Sequence, residues 1–177
     1  MTRRLSNKQN LNRNPIEIAF RFLTYRPRSK AEVRRRLSRQ FTTVQVEETL
    51  NRLLEQGILD DSVFASFWCS NRERNRPRSK VMLTQELRRL GVSGPIVKEA
   101  LANIDEEVSA LNAGRKYCRR LSTVDQRAFC AKMMNHLHRR GFSFSLTRQV
   151  ANDIWDELTG STDSDIYGDT QEQQSEN

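Results

Sequence analysis

The sequence predicts an all-α protein of three tandem three-helix repeats, helix-turn-helix-like and in an elongated arrangement. Three observations predict it. The pentapeptide RPRSK stands at 26–30 and again, letter for letter, at 76–80. Apolar residues recur at the i, i+3, i+4, i+7 spacing of a helix face between residues 15 and 158. No stretch sustains the period-two alternation of a half-buried strand.

Sliding the chain by fifty residues aligns more than the pentapeptide. Leu37, Leu87 and Leu137 fall in register, and LRRLGVS at 87–93 matches LHRRGFS at 137–143. Repeats are therefore expected at 15–59, 60–105 and 106–159, between a disordered basic N-terminus at 1–14 and a disordered acidic tail at 160–177. The first helices are read from Ile16, Ala19, Phe20 and Leu23, then Phe64, Phe67 and Trp68, then Val108, Leu111, Cys118 and Leu121. Second helices are expected to bury Val33 and Leu37, then Leu83, Leu87 and Leu90, then Phe129, Met133 and Leu137. Third helices are expected to bury Val46, Leu50 and Leu53, then Ile96, Ala100 and Ile104, then Val150, Ile154 and Leu158.

Local signals fix the ends. Ser29 with Glu32 makes a capping box, in which the serine accepts from the N3 amide and the glutamate reaches back. Ser79 is the equivalent cap, and each preceding Pro-Arg is its extended approach. Gly57, Gly91 and Gly141 follow helix ends, where a left-handed residue closes the last turn. Asp60 or Asp61 then caps the next helix.

Net charge is +8, but five acids and no Lys or Arg follow Gly160, which leaves +13 on residues 1–159. Such a body seeks a polyanion or an acidic protein face. Residues 30–40 sum to +4, 80–90 to +2 and 126–140 to +4, whereas 44–56, 95–105 and 146–158 sum to −2, −1 and −2. Second helices are basic and third helices acidic, so third helices are poor candidates for reading a DNA groove. The densest cluster is RERNRPRSK at 72–80; where extended, it places Arg74, Arg76 and Arg78 on one side. Guanidinium forks suit phosphates and carboxylates equally.

No apolar run approaches the ~20 residues of a membrane span. The N-terminus has no apolar stretch of a secretory signal, so a cytoplasmic location is expected. Cys69, Cys118 and Cys130 show no metal-ligand spacing and read as small hydrophobes in a reducing compartment. His136 and His138, at i and i+2, point to different helix faces and read as surface basic residues, not as a metal pair. Phosphate-loop, serine-elbow and zinc-protease motifs are all absent, so neither catalytic nor metal residues nor a cofactor are expected.

The run GILDDSVFA at 57–65, followed by Arg72 and by ELRRLGV at 86–92, resembles the RecX family of regulatory proteins. RSKAEV at 28–33 and LHRRGF at 137–142 extend the resemblance over roughly 15–158. It implies a small helical non-enzyme that lies in the groove of the RecA–DNA filament. There it would damp RecA's ATPase, strand-exchange and coprotease activities in DNA repair and the SOS response. A monomer is expected, with RecA as partner and DNA within the filament as a further contact. The expected contact surface is basic: Arg28, Arg34, Arg35, Arg72, Arg74, Arg76, Arg78, Arg88, Arg89, Arg139 and Arg140. The alternative is a stand-alone nucleic-acid-binding protein without sequence preference.

Overall fold

The computed structural model describes residues 14–121 and 125–164, with side chains as far as Gly160. Among the described residues are nine helices and no strand. They are α1 (Pro15–Thr24), α2 (Lys30–Leu37), α3 (Thr43–Glu55), α4 (Asp61–Asn75), α5 (Lys80–Arg89), α6 (Gly94–Ala102), α7 (Glu106–Cys118), α8 (Gln126–His138) and α9 (Phe144–Ser164). The fold is all-α, in three successive trios. The chain packs as two units: residues up to Asn75 with Val81–Asn103, and Arg76–Lys80 with the residues from Ile104 onward. The second RPRSK thus belongs with α7–α9.

Caps form where local chemistry demands them. Ser29 accepts from the Glu32 amide while the Glu32 carboxylate accepts from the Ser29 amide, which satisfies donors that the first turn of α2 would leave orphaned. Thr42 and Gln45 repeat the device at α3. Of the two candidate aspartates, Asp60 is the cap of α4, since its Oδ1 accepts from the Ser62 and Val63 amides. Gly57, Gly91 and Gly141 have φ of 65°, 84° and 88°, the left-handed region expected past a helix end.

In the first unit, α1–α3 close around Ala19, Val33, Leu37, Val46, Leu50, Leu53 and Leu59. Phe64, Ala65, Cys69, Leu83, Leu87, Val97 and Leu101 are the buried positions of α4–α6. In the second unit, Ala110, Ala113, Phe129, Met133, Leu137, Phe142, Val150, Ala151 and Ile154 form the core.

Several expected core positions shift. Phe20 is 41% exposed, and Ala19 is the buried residue of α1. In α6, Val97 and Leu101 are buried, while Ile96 and Ala100 are half-buried and Ile104 lies past the helix end. Those two buried residues match Val46 and Leu50 across the repeat. The apolar residues Ile96 and Ala100, each one position before a buried one, mask the true face in a periodicity count. Leu90 is half-buried, and Leu158 is 47% exposed.

The largest departure is α7. It buries Ser109, Ala110, Ala113 and Gly114, whereas Val108 is exposed and Leu111, Cys118 and Leu121 are half-buried. Small residues there let α9 approach closely. A Cβ on Gly114 would lie 2.5 Å from the Ile154 Cδ1 and 3.2 Å from the Val150 Cγ1. Periodicity weighs large side chains, so a face chosen for smallness escapes it.

Asn14, expected in the N-terminal segment, is the N-cap of α1. Helix α9 runs on to Ser164, past the boundary expected at 159. The rest of both terminal segments, 1–13 and 165–177, lies outside the described residues. Among the described residues no helix is long and apolar enough to cross a membrane.

Candidate functional site

Each RPRSK is a connector seated against the end of a later second helix. In the first unit, the Ser29 hydroxyl donates to the Leu90 carbonyl just past α5, at 2.6 Å. The Lys30 amide donates to the Asp61 carboxylate, at the start of α4, at 2.8 Å. In the second unit, the Ser79 amide donates to the Arg140 carbonyl just past α8, at 3.1 Å. The Lys80 amide donates to the Glu106 carboxylate, at the start of α7, at 3.3 Å. Leu90 and Arg140 are fifty residues apart, as are the two serines. Both serines are fully buried. The repeated pentapeptide is first of all a repeated joint.

The arginines of the two joints differ in what surrounds them. In the first copy, Arg26 Nη2 donates to Glu32 Oε1 at 2.8 Å, and Arg28 Nη1 reaches the same oxygen at 3.5 Å. Arg28 also lies over the Phe22 ring, 4.2 Å from its centroid. One capping glutamate therefore compensates both guanidiniums. The second copy has Met82 where the first has Glu32.

What meets the second copy is another cation. Arg140 Nη1 donates to the Pro77 carbonyl at 2.9 Å, and its Nε donates to His136 Nε2 at 2.9 Å. Both acceptors are neutral, and Arg140 makes no ion pair with a carboxylate among the described residues. Burial, then Arg78 and Arg76, depress the Arg140 pKa. The imidazole of His136 stacks on Tyr117, with centroids 3.8 Å apart and planes 6° from parallel. Sequence reasoning placed His136 on the surface; the structure makes it a half-buried prop for a guanidinium. No spacing rule links Tyr117, His136 and Pro77, so only the fold could unite them.

Of the remaining expected contact residues, Arg34 and Arg72 pair with acids on neighbouring helices. Arg34 is bidentate on Glu47, at 2.8 Å through both Nε and Nη2, joining basic α2 to acidic α3. Arg115 and Glu157 join α7 to α9 in the same way. The sign alternation along the chain is thus partly internal pairing. Both pairs are exposed and screened by water, so each adds little to stability. Arg72 Nε donates to Glu86 Oε2 at 2.8 Å and its guanidinium lies 4.7 Å from the Trp68 ring centroid. Arg74 is helical, in α4, so Arg74, Arg76 and Arg78 do not share one extended strand as expected. Arg35, Arg74, Arg76, Arg88, Arg89 and Arg139 are exposed.

Cys69 is buried, which pushes its thiol up to about 11; burial also raises Cys118 and Cys130. Among the described residues no group of three or more His, Cys, Asp or Glu could hold a metal ion.

His136 makes the second unit sensitive to acid. Desolvation, then Arg140, Arg139 and Arg120, lower its pKa from 6.5 to about 4. A depressed histidine pKa contributes stability that is full above the unfolded value and is lost as pH falls through the folded one. The window is therefore pH 6.5 down to about 4. Discounted for the exposed half of the ring, the contribution is about 1–2 kcal/mol. Urea melts of wild type and His136→Phe should converge as pH falls from 7 to 4. A stability difference that stays constant across that range would refute the titration.

The chain matches the family model described as "RecX, first three-helix domain" over residues 16–53, the second-domain model over 60–101 and the third over 105–151. It is 34% identical over 143 residues to Regulatory protein RecX of Prosthecochloris aestuarii, covering 80% of this chain and 94% of the relative. It is 28% identical over 153 residues to Regulatory protein RecX of Streptomyces coelicolor, covering 82% and 81%. Among solved structures, it resembles RecX from Lactobacillus salivarius with a TM-score of 0.64 at 19% identity, over 78% of this chain and 93% of that one. At that identity the last likeness speaks for the fold alone.

Proposed function

This chain belongs to the RecX family of regulatory proteins, and from that premise we propose that it binds the RecA–DNA filament and restrains it. On this reading it damps RecA's recombinase, ATPase and coprotease activities, in the cytoplasm, in DNA repair and the SOS response. It acts as a monomeric binder, without catalysis of its own. The observation that carries the reading is the match of all three RecX domains, in order, along one chain. The basic cluster of Arg76, Arg78, Arg139 and Arg140 supports it, as a surface suited to an anionic assembly.

The test is the DNA-dependent ATPase of RecA, titrated with the full chain. Activity should fall as this protein is added at concentrations well below that of RecA, because a bound modulator acts on neighbouring filament subunits. ATP hydrolysis that stays level up to equimolar addition would overturn the reading.

A further inference from the structure

The Arg140 guanidinium is a charge that the fold positions without neutralising. His136 Nε2 holds its Nε and the Pro77 carbonyl holds its Nη1, each at 2.9 Å. Neither carries negative charge, since His136 is neutral at pH 7. The stacked Tyr117 ring fixes the imidazole in turn. Only part of the guanidinium fork is used, so Nη2 remains for a ligand. Arg76 and Arg78 lie close enough to depress the Arg140 pKa. Bringing like charges together in a half-buried place costs free energy, which the folded chain bears without an internal acid at Arg140.

The first joint shows the alternative that the same chain uses. There Glu32 collects Arg26 and Arg28, and the site is closed. At the second joint Met82 occupies that position.

We propose that Arg140, with Arg76 and Arg78 beside it, receives a phosphate of a DNA backbone, and that His136 is its positioning residue. A phosphodiester offers two non-bridging oxygens to guanidinium forks, and its neighbours along the strand supply further anions for the adjacent arginines. An isolated protein carboxylate would partner Arg140 but bring no further anion for the exposed Arg76 beside it. The contact is to the backbone, so it carries no base preference. The inference concerns DNA alone and stands whether or not RecA is the partner.

The test uses the full chain and a fluorescein-labelled single-stranded oligonucleotide, followed by anisotropy across a salt series. Arg140→Gln should weaken binding about tenfold at low salt, as expected for a charge-assisted bond. It should also reduce the salt slope by about 0.7, the signature of one lost phosphate contact. Arg76→Gln, at an exposed residue outside the joint's hydrogen bonds, should act in the same direction and guards against misfolding of the first variant. His136→Phe keeps a stacked ring and the net charge at pH 7. It should cost affinity while the slope changes little, which a purely electrostatic role would not produce. Arg115→Gln removes an equal charge from the Glu157 pair and should bind like wild type.

Equal binding by Arg140→Gln, Arg76→Gln and Arg115→Gln would overturn the proposal. If Arg140→Gln and Arg76→Gln bind DNA normally but lose RecA ATPase inhibition, the site receives an acidic protein face instead, and the phosphate assignment fails. If those two lose DNA, with Arg115→Gln unaffected, while wild type fails to inhibit RecA, the phosphate site stands and the filament reading falls.

Discussion

Gly91→Ala should destabilise the first unit by about 2–5 kcal/mol, a large share of the stability of a small domain. Two costs combine at this position. Its φ is 84°, where an alanine side chain crowds the backbone at a cost of roughly 1–2 kcal/mol. A Cβ there would also stand 2.3 Å from the Ala31 Cβ, with the Ala31 Cα at 3.7 Å. Ala31 has no flexible end to swing away, so α2 itself must shift, which costs about 1–3 kcal/mol. Gly57 isolates the first term, because its φ is 65° but nothing lies within 4 Å of an added Cβ. Gly57→Ala should therefore lose only about 1–2 kcal/mol. Urea denaturation of the two variants checks this, and the double substitution Ala31→Gly with Gly91→Ala should recover part of the larger loss. Equal midpoints for Gly57→Ala and Gly91→Ala would mean that the close approach of α2 to the Gly91 turn does not matter.

The contrast between these glycines marks what a sequence can and cannot disclose. That both glycines end helices was legible from local pattern, since left-handed closure depends on a few neighbouring residues. Ala31 against Gly91 is a contact sixty residues long in sequence and leaves no local trace. Legibility divides in the same way elsewhere. The capping box at Ser29 and the cores around Leu37, Leu87 and Leu137 follow from short-range chemistry and from strong apolar periodicity. The α7 face does not, because Ala110, Ala113 and Gly114 are buried for their size rather than their hydrophobicity.

The candidate site was half legible. Charge counting found Arg76, Arg78 and Arg140 among eleven basic residues, but gave no means of ranking them. Ranking required knowing which cations already have acids. Glu32, Glu47 and Glu86 pair with Arg28, Arg34 and Arg72; the last two pairings join separate helices and depend on how these pack. The repeat itself held an unused clue. Met82 in place of Glu32 is visible in the fifty-residue alignment, and it removes from the second copy the glutamate that Arg26 and Arg28 share in the first.

Glu86→Ala should be the second severe lesion, at about 2–4 kcal/mol. Arg72 and Glu86 both belong to the motif that carries the family resemblance, and the fold makes them partners. Glu86 Oε2 accepts from Trp68 Nε1 at 2.7 Å and from Arg72 Nε at 2.8 Å. The glutamate side chain is 12% exposed and the arginine 23%, so water repairs little if the acceptor is removed. Trp68 and Arg72 stand one turn apart on α4, and Glu86 on α5 ties both, with the guanidinium lying over the indole ring. Alanine would strand an indole N–H and a largely buried cation together. Glu86→Gln keeps an oxygen for one donor but loses the charge, and should fall between alanine and wild type. A double-mutant cycle with Arg72→Ala isolates the pair and should return a coupling of about 1–3 kcal/mol. The exposed pair Arg34–Glu47, put through the same cycle, should return a clearly smaller coupling. Comparable couplings at the two sites would show that burial gives the Arg72–Glu86 pair no advantage, and the claim that it locks α4 to α5 would fail.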